Sequence, residues 1–177
     1  MRRVDVRAAG PADAPAIAAI YNEGIADRVA TFETRERTAD EVRDWLDGPL
    51  PVLVAVVDGA VAGWARVSPY SDRCVYAGVG EHAVYVARSA RGLGVGRVLL
   101  DALCAAAEAA GLHKLTSRIF DDNAASIALH VAAGFDVVGR QRRHGRLDGE
   151  WRDCVLVERL LGEAAAAAPA PARRDGR

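Results

Sequence analysis

Arg91-Gly92-Leu93-Gly94-Val95-Gly96 is the segment whose residue types and spacing carry the most chemistry. A strand pattern precedes it and a helix pattern follows. Its glycines let the backbone turn tightly and bring N–H groups against an anion without interference from Cβ atoms. The helix start adds unpaired N–H donors and the positive end of a dipole. With Arg91 and Arg97 as further positive charge, the arrangement suits a pyrophosphate. A dinucleotide-binding fold would need glycine or alanine where Leu99 stands, and would place the loop near its start rather than halfway along the chain, so that reading is disfavoured. A plain strand-to-helix turn is the alternative that the loop alone leaves open. A second constellation follows at Asn123, Ser126 and His130. Asn123 and His130 stand two helical turns apart, so both can face one ligand. Asn123 is equally a good N-cap, and His130 equally a helix histidine satisfied by backbone or solvent.

The rest of the sequence excludes several chemistries. The 177 residues carry 22 arginines but a single lysine, Lys114, so no Gly-Lys-Ser/Thr phosphate loop exists and a Schiff-base lysine has no other candidate. Cys74, Cys104 and Cys154 are odd in number and far apart, which is neither a zinc cage nor a disulfide framework and fits a reducing cytosol. No metal site is expected. The net charge of -1 argues against binding nucleic acid by bulk charge. The arginine run from Arg140 to Arg146 is followed by Asp148, Glu150 and Asp153, and reads as a solvated face or the surroundings of a phosphate-rich ligand. Met1 to Val6 lacks the apolar run of a signal peptide, and no stretch approaches a membrane span. The 36 alanines read first as the codon bias of a GC-rich genome.

The elements that must position these groups follow from periodicity and breakers. Val4 to Arg7 alternates as a strand, and Pro11-Ala-Asp13 starts a helix carrying Ile17, Ile20, Tyr21 and Ile25. Thr38 and Glu41 form a capping box for a second short helix. Val52 to Val57 and Val61 to Val67 form a hairpin about Asp58-Gly59, and a loop runs from Ser68 to Gly80. Glu81 to Ala87 is a strand ahead of the glycine loop, and a long helix then runs to about Ala110. Lys114 to Phe120 is a strand, Asn123 to Ala133 a helix, and Asp136 to Arg142 and Trp151 to Leu160 are strands. This order predicts a mixed α/β sheet in one domain over 1–161, with a disordered Ala/Pro/Arg tail over 162–177.

Arg91, Gly94 and Gly96 after a strand resemble the acetyl-CoA loop of the GNAT superfamily of N-acetyltransferases, and Asn123 to Phe135 resembles its second coenzyme segment. Val79 to Val86, Tyr21-Asn22, Thr31-Phe32-Glu-Thr34 and Gly149 to Asp153 are similar to the phosphinothricin-type branch and its arsinothricin-acetylating relatives. The sequence departs from that branch at Gly80, where valine is more usual. The resemblance implies a mostly antiparallel central sheet with helices on both faces, acetyl-CoA as donor, and Glu81 as general base, directly or through a water. It implies that two strands splay so that backbone N–H groups in Ala83 to Val86 are left free, which assigns Val84, Tyr85 and Val86 to the coenzyme site. Arg91, Gly92, Leu93, Gly94, Val95, Gly96, Arg97, Asn123 and Ser126 complete that site. His130 occupies the position of a tyrosine that protonates the coenzyme sulfur, as an acid or a hydrogen-bonding group.

An amine acceptor with acidic groups would be held by Arg73, Tyr70 and Tyr76, with Phe32 and Thr34 lining the pocket and Trp151 and Arg152 closing it. The expected activity is therefore acetylation of the α-amine of a small glutamate-like antimetabolite of the phosphinothricin, arsinothricin or methionine sulfoximine type, conferring resistance. Transfer is expected in a ternary complex, because no cysteine neighbours the glycine loop or Glu81 in sequence. Ordinary amino acids, other amines or protein N-termini are alternative acceptors, and a non-catalytic acetyl-CoA-binding module is the alternative of another class. The expected setting is cytoplasmic, as a homodimer, with no nucleic-acid or membrane partner.

Overall fold

A computed structural model describes residues 3–166. Its strands are β1 (Val4–Ala8), β2 (Val52–Val57), β3 (Ala60–Pro69), β4 (Val79–Val86), β5 (Lys114–Phe120), β6 (Asp136–Leu147) and β7 (Glu150–Leu160). The helices are α1 (Ala14–Asp27), α2 (Ala39–Leu46), α3 (Val95–Ala109), α4 (Ala124–Ala132) and α5 (Gly162–Ala166). The strands form one sheet in the order β1-β2-β3-β4-β5-β7-β6. Neighbours are antiparallel except β4 and β5, which run parallel. The expected mixed, mostly antiparallel α/β sheet is what the chain forms.

The β4–β5 ladder positions the site. It holds for three residue pairs, Val79 with Lys114, Gly80 with Leu115 and Glu81 with Thr116, and then stops. β4 continues to pair with β3 through Val86, while β5 continues with β7 through Phe120. The two strands therefore part immediately after Glu81, leaving a gap in the middle of the sheet.

Period-two alternation sorts β4 between two faces. Glu81 and Tyr85 point to the face covered by α1, whose Gly24 comes so close that a Cβ there would lie 2.7 Å from the Tyr85 ring. Tyr85 stacks on Trp64 at 4.9 Å and meets Tyr21 edge-on at 4.9 Å. His82 and Val86 point to the other face, where α3 and α4 pack. The core under α3 contains Val95, Leu99, Leu100 and Leu103, all buried against the sheet. Gly80 fits for a packing reason, since a Cβ there would run into Val67.

Element limits shift modestly. β3 reaches Pro69 and β4 begins at Val79, so the intervening loop is shorter than expected and holds one turn of 3-10 helix at Cys74–Tyr76. β6 runs on to Leu147, because the arginine-rich segment pairs with β7 across register shifts. The expected disordered tail is corrected at its start: Gly162–Ala166 is helical, as its Glu-Ala-Ala-Ala composition favours. The remainder of that expectation, 167–177, lies outside the described residues, as do Met1 and Arg2.

Candidate active site

The glycine loop builds its cradle from backbone. Gly92 and Gly94 adopt φ of 79° and 82°, which other residues rarely adopt, and a Cβ on either would meet nothing within 4 Å. Gly94 is the N-cap of α3 and no side chain caps that end, so the first N–H groups of a fifteen-residue helix remain available to an anion. Gly96 has a different reason, since a Cβ there would lie 2.9 Å from Leu129 of α4. Beside this cradle lies a groove of about 460 Å³, lined by Val84, Tyr85, Val86, Arg91, Arg97 and Leu129 among others. Arg91 is already engaged with Asp27 at 2.7 Å, and Arg97 with Asp101 at 2.8 Å. One expected residue differs from the rest: Leu93 is 46% exposed and lies outside the groove. Val95 lines the groove while its side chain is buried in the core at 1% exposure.

Asn123 is the N-cap of α4, its Oδ1 accepting from Ser126 N–H at 3.1 Å while its Nδ2 donates to the Val29 carbonyl at 3.0 Å. Asn123 and Ser126 line both this groove and a second cavity of about 340 Å³. Val84 and Tyr85 also belong to both, so the two spaces meet at the stretch of β4 that has left β5. The second cavity holds Glu81, Arg66, Ser68, Tyr21 and Thr31 on the α1 face, and reaches His82 and His130 through the gap. Arg118 donates from Nη1 to Glu81 Oε1 at 3.0 Å and from Nε to Gln141 at 3.1 Å. The glutamate is thus anchored by one oxygen.

His130 lies at the inner wall of this cavity. It is 2% exposed, and both ring nitrogens are engaged. Nδ1 lies 2.7 Å from the Ser126 carbonyl and Nε2 lies 3.0 Å from His82 Nε2. A carbonyl only accepts, so Nδ1 carries the proton; the neutral ring then accepts at Nε2 from His82. Burial lowers the pKa of His130, opposed by its bond to Ser126. Burial and the neighbouring His130 lower that of His82. In this arrangement His130 is a hydrogen-bonding group between Ser126 and His82 at the cavity wall. His82 was missed by the sequence reading. The signal available was strand alternation, which puts His82 opposite Glu81 and therefore under α4.

The expected acceptor residues mostly lie elsewhere. Tyr70 and Tyr76 are 42% and 37% exposed, pack edge-on with each other, and carry Arg73 over the Tyr76 ring; none of the three lines the groove or the cavity at Glu81. Thr34 is exposed, and Thr31 lines the space in its place. Trp151 is 51% exposed beneath Arg146, and Arg152 is tied to Asp122. Phe32 does converge on the site, packing edge-on to Phe120 and lining a side cavity of about 320 Å³ that also touches Glu81 and Arg118. Cys154 borders that side cavity, so a cysteine does come near Glu81 through the pairing of β7 with β5. It is 1% exposed, and burial raises its thiol pKa, which keeps it protonated and unreactive.

The acetyltransferase (GNAT) family model matches residues 17–135. A phosphinothricin N-acetyltransferase of Alcaligenes faecalis is 38% identical over 161 residues, covering 88% of this chain and 82% of that protein. An L-methionine sulfoximine/L-methionine sulfone acetyltransferase of Pseudomonas paraeruginosa is 35% identical over 158 residues, covering 86% and 92%. The structure of a phosphinothricin acetyltransferase from Sinorhizobium meliloti in complex with acetyl-CoA superposes with a TM-score of 0.86 at 32% identity, covering 96% of this chain and 94% of that one.

Proposed function

The chain belongs to the acetyltransferase (GNAT) family, and from that premise we propose that it transfers acetyl from acetyl-CoA to the α-amine of a small amino-acid-like acceptor of the phosphinothricin or methionine sulfoximine type. The observation that carries this reading is the parting of β4 from β5 after Glu81. It joins an apolar groove ending at a helix N-terminus to a polar cavity containing a carboxylate. The residues fit the coenzyme: the bare backbone at Gly92 and Gly94 suits its pyrophosphate, and the groove wall of Val84, Val86 and Leu129 suits its pantetheine arm. Acetyl-CoA supplies an activated acyl group as a thioester.

The chain's own residues do the rest. Glu81, held by Arg118 through Oε1, keeps Oε2 to accept the proton that the acceptor amine must lose. The β4 edge beyond Glu81 has no ladder partner on the β5 side, so its amides can face negative charge that develops in the gap. Tyr21, Thr31 and Phe120 wall the cavity and hold the acceptor against Glu81. Direct transfer is favoured over an acyl-cysteine because Cys154 is buried. Its place in the cell follows from its acceptor: acetylation removes the charge of an antimetabolite's amine, which is a detoxifying reaction. Association as a homodimer belongs to the same reading, supported by Val137 and Val138, about half exposed on the edge strand β6.

Thiol release from acetyl-CoA tests the reading over phosphinothricin, arsinothricin, methionine sulfoximine, methionine sulfone and the ordinary amino acids. Faster release with the first four than with the ordinary amino acids of neutral side chain is expected. Uniform rates across the panel overturn the antimetabolite assignment, and no release with any amine overturns the enzymatic one.

A further inference from the structure

Two arginines enter the acceptor cavity, and their situations differ. Arg118 is held beside the reacting end of the cavity by Glu81 and Gln141, leaving its Nη2 uncommitted among the described contacts. Arg66, on β3, makes no hydrogen bond or ion pair among the described residues; its guanidinium lies 4.0 Å over the Trp45 ring of α2. It is half-buried and lines the cavity together with Tyr21 and Tyr85, while Arg37 adds like-charge repulsion. Burial lowers its pKa despite the two tyrosines. A partly desolvated guanidinium with no counter-charge is costly unless something supplies one. The cation–π contact with Trp45 holds the guanidinium in place and leaves its N–H groups free for a two-pronged contact.

Register sets the distance. Ser68 pairs with Glu81 and Arg66 with Ala83, so Arg66 stands one step diagonally from Glu81, on the same face. Such diagonal neighbours are about 7–8 Å apart at their Cα atoms, and the Arg66 side chain leans away toward α2. In an α-amino acid the carboxylate lies two bonds from the amine, too close to be shared between Glu81 and a head group that far off. Arg118, bonded to Glu81 itself, is the arginine close enough to the amine's place to take that carboxylate through its uncommitted Nη2.

Resting on the proposed activity, we infer that Arg66 is a specificity-determining residue. It binds a second oxyanion at the far end of the acceptor, so the preferred acceptors are α-amino acids with an anionic side-chain terminus, a phosphinate or a carboxylate, rather than neutral sulfones.

The test compares kcat/KM for phosphinothricin with that for methionine sulfone in wild type, Arg66→Met and Arg66→Lys, with KM for acetyl-CoA as a check on the fold. Wild type is expected to prefer phosphinothricin. Arg66→Met, which keeps a flexible apolar stem over Trp45, is expected to lower that preference at least about tenfold, as loss of a charged hydrogen-bond partner does. Arg66→Lys is expected to restore part of it. Equal losses on both acceptors, or a wild type that favours the sulfone, overturn the inference. Wild type inactive on every amino acid sinks the activity reading on which it rests, an outcome separable from a mere change of preference. Should Arg66→Met not fold, the Arg66→Lys preference alone decides: an undiminished ratio together with failure of glutamate to inhibit competitively overturns the inference.

Discussion

Across the wall formed by Val84 and Tyr85, two cavities offer opposite chemistry. The groove along α3 is lined by apolar side chains and ends on glycine backbone, and its two arginines are already paired with Asp27 and Asp101. The cavity at Glu81 is defined by charged side chains from strands far apart in the chain, one of which, Arg66, has no counter-charge among the described residues. Under the proposed function, the difference teaches how each ligand would be held. A long, flexible molecule with a polyanionic head is gripped by backbone amides and an apolar channel. A small molecule with two or three polar groups is gripped by individually placed charges. Changes on one side of the wall should therefore disturb one KM and leave the other alone.

The sharpest way to break this division is at the cradle. Gly94→Val forces a β-branched residue into φ of 82°, strain of about 1–3 kcal/mol that should raise KM for acetyl-CoA about tenfold or more. KM for the acceptor should not follow; if it does, the cavities are not separable. Gly24→Ala attacks the shared wall instead. Its Cβ would lie 2.7 Å from the Tyr85 ring, which is locked between Trp64 and Tyr21, so overpacking of about 1–3 kcal/mol should lower the melting temperature. Here both KM values should rise together, and a change confined to one would place the wall elsewhere.

The buried pair of histidines gives a pH signature in the gap. Both folded-state pKa values are lowered, so below about pH 6.5 the unfolded chain takes up protons that the folded chain refuses. Stability is full above that pH and is lost progressively as pH falls toward the folded values. Urea melts between pH 5 and 8 should show this slope in wild type, and His82→Phe with His130→Leu should flatten it. An unchanged slope would mean that other groups carry it. The smallest effect is remote from both cavities: Thr38→Ala removes the cap of α2 and should cost about 0.5–2 kcal/mol with neither KM altered.

The two sides also differed in how far sequence reached them. The groove was legible because its parts are contiguous: a glycine run between a strand and a helix names its own conformation, and Gly92 and Gly94 behave accordingly. The capping box of Thr38 and Glu41 was legible for the same local reason. The cavity was not. Arg66 and Arg118 meet Glu81 only through the order β3-β4-β5, and no local pattern marks either arginine as inward-facing. Tyr70, Arg73 and Tyr76 were chosen for proximity in sequence to Glu81, yet the loop that carries them turns outward before β4 begins. The family resemblance and helical spacing give His130 a place and a face, but neither carries the information that His82 occupies its second nitrogen.

The central claim is that Glu81 takes the amine's proton in the gap between β4 and β5. Glu81→Gln preserves the size of the side chain and an oxygen for Arg118 while removing the base, so its kcat for thiol release with phosphinothricin decides the matter. The account predicts a loss of about 10²–10⁴-fold with KM for acetyl-CoA unchanged; a variant turning over at the wild-type rate would contradict it.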